Sequence, residues 1–473
     1  MAKFTTLAAS AAMLSTAFAA QFVMYTPGGD DTAVERADPI LFPDTISGHV
    51  HQIFGASAFA SELSYDALQG SECTTVGDAS GDGNGADKSS YWHPALYMEA
   101  SNGTGYVRIP TSGHKLYYRD VGNDADKKAD PFEFPKGYRM VAGNQAQRAA
   151  GADSNAQGIT QWMCHASGGS STGDKGGFPS NVNDCDAYPG FNGAIHFPHC
   201  WNGEEFDQSN PSAHYSYPDG DVQGGPCPSS HPIRLPHIFI ENQFDLHSVV
   251  DQVKPNTFVL AQGDATGFGW HMDFFNGWDT GAIPELMKSC PAPYYGNEDI
   301  GTCPTFKKFD TKSAACKLKV TFNENVDTPG KVLPGCNPIQ TTNPAVKMAV
   351  AALGEATDKC SSASGGSGSS GSSAPAYSAS SAPAYSASSA AESSATSAPA
   401  YQAPSSSAAS PTTLATSHVA ITATAYGGKN ANNVVYETQY VTVTARDLPT
   451  PVAALEARHA HALKHLKGRG RRL

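Results

Sequence analysis

The chain has 473 residues, 31 Lys+Arg against 44 Asp+Glu, and 40% hydrophobic residues, which is enough for a real core and rules out wholesale disorder. The charge is uneven: residues 20–360 hold 40 acidic and 22 basic side chains, whereas residues 361–473 hold 4 and 8. An acidic body repels phosphate, so nucleic acid is excluded as its partner.

Residues 1–19 combine Lys3, an apolar run from Leu7 to Phe18, and small residues at Ala17 and Ala19 before Gln21. This is the pattern of a secretory signal peptide, and the run is shorter than the roughly 20 residues that span a bilayer. No later segment offers a span, and the end from Ala457 to Leu473 lacks the hydrophobic tail of a lipid-anchor signal. The expectation is a secreted protein, extracellular or in the cell wall, with no membrane span, acting as a monomer.

Residues 20–360 read as a disulfide-rich β domain. Short apolar or β-branched runs at Gly105 to Ile109, Lys115 to Tyr118, Ile233 to Glu241, Thr257 to Ala261 and Leu318 to Asn323 are bounded by Gly, Pro, Asn and Asp, as sandwich strands are. Helical patterns are few: Ala56 to Leu68, Ile283 to Ser289 and Asn343 to Leu353. The predicted fold is therefore mainly β, an antiparallel β-sandwich or jelly-roll-like body with long disulfide-stapled loops. All ten cysteines lie in this body, which allows up to five disulfides whose pairing cannot be read. No CxxC pair occurs, so zinc ribbons and thioredoxin-like chemistry fit poorly. Asn102-Gly103-Thr104 is an N-glycosylation sequon, which predicts a surface loop.

From Ser361 the composition turns to Ser, Ala, Pro, Gly and Tyr, with Ser-Ala-Pro-Ala-Tyr recurring at Ser373, Ser381 and Ser397. Residues 361–416 are a disordered linker by composition, of the kind that carries O-linked sugars. Residues 417–473 hold β-branched alternation around Gly427-Gly428 and a basic, His-rich end, and either form a small β-like segment or stay disordered.

Three clusters hold chemistry-bearing residues. In Ser47-Gly48-His49-Val50-His51-Gln52, an extended backbone puts His49 and His51 on one face, as two ligands of a metal or an acid/base pair would be. HxH alone is a weak signal, and packed histidines are the commoner outcome. Gly263-Asp264-Ala265-Thr266-Gly267-Phe268-Gly269-Trp270-His271-Met272-Asp273 gathers two carboxylates, an imidazole and an indole in a glycine-shaped loop suited to proton transfer. The structural alternative is a rigid turn with Asp side chains capping backbone amides. His196 and His199 lie beside Cys200, and packing against aromatics is the favoured role for them.

Motifs in order along the chain carry a resemblance. Asp38-Pro39-Ile40, the His49–His51 segment, Lys88-Ser89-Ser90-Tyr91-Trp92-His93-Pro94, Gly137-Tyr138-Arg139-Met140, Ile195-His196-Phe197 with Cys200-Trp201-Asn202-Gly203, Leu235-Pro236-His237, and Gly263 through Trp278 resemble a fungal secreted domain of unknown function. That family is often joined to WSC carbohydrate-binding domains. His93 departs from its pattern, and a Ser-rich tail stands where a WSC module would be. The resemblance implies an extracellular or wall setting and names no reaction. It groups His49, His51, Arg139, Asp264, His271 and Asp273.

The first functional reading is a glycan-active hydrolase or lyase acting on a polysaccharide or cell-wall glycan. Asp264 or Asp273 would be its acid or base, His271 and His49 its proton relays, with His51 in the same cleft. Arg139 would orient the sugar, and Trp92 and Trp270 would form stacking platforms. The second is a non-catalytic glycan-binding or wall-structural protein. The third is extracellular metal binding by His49, His51 and one further partner. No metal ligand set and no cofactor is assigned from the sequence.

Overall fold

The computed structural model describes residues 21–26, 31–80, 83–151, 158–182, 184–291, 300–308, 316–318, 324–346 and 351–352. The chain divides into two compact units, Met1–Pro383 and Ala384–Leu473, and every described residue falls in the first. The expected signal peptide (1–19), linker (361–416) and terminal segment (417–473) lie outside the described residues.

Two antiparallel sheets make the body, as the alternating short strands predict. The six-stranded sheet runs in the order Gln21–Thr26, Thr111–Arg119, His237–Phe244, Phe191–His196, Thr160–Cys164, Ser171–Thr172. The five-stranded sheet runs Arg139–Gly143, His271–Phe275, Ser90–Pro94, His51–Gly55, Ala33–Glu35. Their facing sides interdigitate as sandwich sheets do. Phe54 stacks on His114 with centroids 3.7 Å apart, Tyr91 meets Tyr118 hydroxyl to hydroxyl, and Trp278 Nε1 donates to Tyr118 Oη at 3.0 Å.

The five-stranded sheet is buried on its other side as well. Ile53, Trp92 and Phe275 on that side pack with Ala37, Ile40, Phe59 and Leu68 from the covering loops. Every residue of the His51–Gly55, Ser90–Pro94 and His271–Phe275 strands is consequently buried. A small third sheet joins Tyr215–Ser216, Cys200–Trp201, Ile233–Arg234 and Lys127–Lys128.

Four disulfides are described, Cys73–Cys316, Cys164–Cys185, Cys200–Cys227 and Cys290–Cys303. Asn102 sits in an exposed turn, its Oδ1 accepting from Thr104 N and Oγ1 at 2.9 and 2.7 Å. Among the described residues no helix is long and apolar enough to cross a membrane.

Some boundaries differ from expectation. The helix predicted over Ala56 to Leu68 shrinks to Tyr65–Gln69, capped by Ser64 Oγ accepting from Ala67 N. Ala56 and Ser57 are instead drawn into pairing with Ser89 and Cys73, and Phe59 into the loop-side core. The helix near Ile283 forms over Ala282–Ser289. The predicted strand Ile233 to Glu241 divides at Pro236, which has no N–H for a ladder, so its halves enter different sheets. Most of the predicted Leu318 to Asn323 strand lies outside the described residues. For the Asn343 to Leu353 helix, residues 343–346 are not helical, Ala351–Ala352 pair with Thr45–Ile46, and the remainder lies outside the described residues.

Candidate metal centre

His51 opens a strand in register with Pro94, and Asp273 in the neighbouring strand is in register with Trp92. His271, two residues before Asp273, therefore shares its side of the sheet, the side His51 also occupies. Val50 between the two histidines packs into a separate apolar cluster with Ala95 and Tyr97, so His49 turns back toward His51.

The three rings are almost fully buried, at 2%, 0% and 1% exposure for His49, His51 and His271. One nitrogen from each lies within 4.8 Å of the others. His49 Nε2 and His271 Nε2 are 3.2 Å apart. Two ligands on a tetrahedral ion with bonds of about 2.0–2.1 Å stand about 3.3 Å apart, so this pair already has coordination spacing.

Backbone carbonyls fix the tautomers. His51 Nδ1 lies 2.9 Å from Ala37 O, and His271 Nδ1 lies 2.8 Å from Gly269 O. A carbonyl only accepts, so both Nδ1 atoms carry the hydrogen and both Nε2 atoms present lone pairs. His51 Nε2 is buried, with no hydrogen-bond partner among the described residues. Burial first, then the neighbouring His51 and His271, hold His49 well below the usual imidazole range; burial and then His271 do the same to His51. Burial lowers His271 to about 4, against the bond to Gly269. All three rings are thus neutral, the state in which imidazole binds a metal.

Two glycines make room. Gly143 stands opposite His271, at φ +74°, and a Cβ there would fall 2.3 Å from Trp270 O. A Cβ on Gly269 would fall 2.7 Å from Arg148 Nη1 and 2.8 Å from Asp264 Oδ2. Asp264 organises this loop: Oδ1 accepts from Thr266 N and Oγ1 at 2.8 and 2.5 Å, and Oδ2 accepts from Gly269 N at 2.6 Å. Arg148 Nε is 3.7 Å from Asp264 Oδ1, with both side chains at or below 1% exposure. Arg148 also donates to Gln145 O, Gln147 O and Gln340 O.

Residues beyond 300 close over this side. Asn337 Nδ2 donates to Gly48 O and Ala261 O, and Asn343 Oδ1 accepts from Arg148 N.

Of the residues singled out in the sequence, His49, His51 and His271 come together. Asp264 is adjacent through Gly269, with both oxygens engaged in the loop, as the turn-capping alternative anticipates. Asp273 shares the sheet face but is fully buried, and neither oxygen has a hydrogen-bond partner among the described residues. Burial, and then Asp38, push its carboxyl well above the usual range. Arg139 lies elsewhere: it is in register with Phe275, four residues from His271, and its guanidinium sits 4.2 and 4.4 Å from the Phe206 and Phe275 rings. Trp92 and Trp270 correct the expectation of sugar platforms. Both are 0% exposed, Trp92 against Phe59 and Trp270 against Trp162 and His93, so neither offers a face to a ligand. His196 stacks on Phe239 and pairs with His237 at 3.1 Å, as expected of a packed histidine. Sequence reasoning missed Arg148 and Ala37, a lone arginine and a backbone carbonyl that carry no local pattern.

The sequence profile described as "Domain of unknown function (DUF1996)" matches residues 38–278. The chain belongs to this family. No curated protein and no solved structure matches it. The DUF1996 span contains all three clustered histidines together with Arg148 and Asp264, and it ends three residues after the His271–Phe275 strand. The DUF1996 match leaves out Asn337 and Asn343, which complete the closure.

Proposed function

We propose that this is an extracellular metalloprotein whose DUF1996 domain holds one divalent transition-metal ion through Nε2 of His49, His51 and His271. The observation that carries this reading is the buried Nε2 of His51, without a hydrogen-bond partner among the described residues, in a cluster with two further imidazoles already held neutral. A buried polar atom without a partner costs about 1–3 kcal/mol, and an ion at the meeting point of the rings removes that cost. Three imidazoles suit zinc or copper(II) over magnesium or calcium, which prefer oxygen. An ion bound there would cross-link two strands in a closed site, the geometry of a structural rather than an open catalytic centre. The apolar leader and the disulfides support an oxidising compartment.

This reading is preferred to glycan hydrolysis by Asp264 and Asp273. Asp264 already accepts three hydrogen bonds, and Asp273 is sealed from solvent. A general acid needs reach to its substrate's proton.

The test is metal content by mass spectrometry of untagged full-length protein, wild type against His51→Ala/His271→Ala. The tail histidines His459, His461 and His465 are common to both proteins, so the difference reads the buried site alone. A loss of about one ion per chain is expected; equal content in the two proteins would overturn the proposal.

A further inference from the structure

A cavity of about 430 Å³ opens between the small third sheet, the 129–136 loop and the segment following the His271–Phe275 strand, and none of the three clustered histidines lines it. Its volume falls in the range of roughly 300–1,000 Å³ typical of small-molecule sites. One wall is a register row: Trp201 pairs with Ile233, and Ile233 pairs with Lys127, so the three side chains share a face. Phe134 and Trp278 extend the apolar surface.

Trp201 differs from the two sealed indoles. It is half-buried and lines the cavity, and its ring is fixed by Nε1 donating to Glu204 O at 2.8 Å and by an edge contact with Tyr138. A fixed, partly open indole is the surface on which a sugar ring stacks, without the entropy loss of ordering a mobile one.

The charged groups around it are three lysines and two carboxylates, Asp130 and Glu133. Lys127, Lys128 and Lys136 all line the cavity. Lys128 is bound to Asp120 at 2.6 Å. Lys127 and Lys136 have no carboxylate within ion-pair distance among the described residues; Lys136 lies 5.4 Å over the Tyr65 ring. Two ammonium groups free of direct ion pairs at one cavity leave their charge available to a ligand, although Asp130 and Glu133 share the lining. Glu133, on the same lining, already accepts from Gly281 N, which leaves Asp130 as the carboxylate available to sugar hydroxyls.

We propose that this cavity binds an acidic saccharide, a pyranose stacked on Trp201 whose carboxylate is held by Lys127 and Lys136. An aromatic face and two point charges match a ring that is apolar on one side and anionic at one substituent. The site does not depend on the metal centre.

Calorimetric titration of the full chain with D-galacturonate and D-glucuronate, against galactose and glucose, tests it. The uronates should bind at least about tenfold more tightly than the neutral sugars, and Lys127→Ala and Lys136→Ala should each cost roughly tenfold, the worth of one charge-assisted contact. Trp201→Ala should abolish binding, and Trp201→Phe should retain part of it. Both lysines are surface groups, so those variants remain informative if Trp201→Ala fails to fold. Equal affinity for charged and neutral sugars, no uronate binding, or full affinity in the Lys127→Ala/Lys136→Ala double variant would overturn the assignment.

Discussion

The carbonyl of Gly269 accepts from His271 Nδ1 at 2.8 Å, and the amide of the same residue donates to Asp264 Oδ2 at 2.6 Å. One peptide residue thus couples the buried Arg148–Asp264 pair to the orientation of the His271 ring. Gly269→Ala would drive a methyl into Arg148 and Asp264, neither of which has room to retreat. The expected result is a loss of about 1–3 kcal/mol of stability. Metal affinity should weaken about 10–100-fold, the usual effect of disturbing a group that orients a ligand. Competition with a chromophoric chelator reads the second effect; affinity equal to wild type would remove the carbonyl from the account.

Metal should also stabilise the fold. An ion bound only by the native state adds about 2.7 kcal/mol at a hundredfold excess over its dissociation constant. Thermal unfolding with zinc, and after chelation, should differ in wild type and coincide in His51→Ala. A chelator-sensitive melt in the variant would place the stabilising ion elsewhere.

Acid should destabilise the protein through a second histidine group. His237 is fully buried, and burial first, then His199, His196 and Arg119, hold it well below the usual range; burial lowers its partner His196 to about 3, with Asp221 opposing. The unfolded chain takes up these protons near pH 6.5, while the native chain does not. Stability is therefore full above that value and falls as pH drops toward 3, by about 1.4 kcal/mol per pH unit for each group. Asp38 and Asp87, both raised by burial to about 6, act in the opposite sense between pH 6 and 4. His237→Gln isolates one group: its stability should fall about 1.4 kcal/mol less per pH unit below 6.5 than that of wild type. Parallel stability–pH curves would contradict this.

The disulfides should differ in worth. Cys73–Cys316 spans 243 residues and Cys290–Cys303 spans 13. Chain-entropy estimates give about 5.5 kcal/mol for the first and about 3 kcal/mol for the second. Replacing each pair by serine and comparing denaturant midpoints should show the larger loss for Cys73 and Cys316. Equal losses would mean that the unfolded chain is already constrained between those positions.

The sequence carries the sheet architecture and half of the centre in local patterns. Period-two alternation places His49 and His51 on one side, and the glycines flanking Asp264 announce its tight loop. Nothing local says that His271, 222 residues from His49, meets it, because that depends on strand order. Arg148 is invisible for the same reason, since its partners lie at Gln262, Asp264 and Gln340. Trp92 and Trp270 mislead because an indole beside polar residues has the same local pattern whether it lines a cleft or fills a core. Residues 56–64 have helical composition, but pairing with Ser89 and Cys73 outweighs that preference.

The clasp formed by Asn337 and Asn343 separates two meanings of the word domain. The stretch that the family signature delimits, 38–278, holds every proposed ligand, but Gly48 O, Ala261 O and Arg148 N find partners only some sixty residues downstream, and Cys73 finds its own at Cys316. A fragment cut at Trp278 would keep the recognisable motif and lose part of its roof, with three buried backbone groups and one thiol left unpaired. The stretch that marks the family is therefore shorter than the stretch that must fold together.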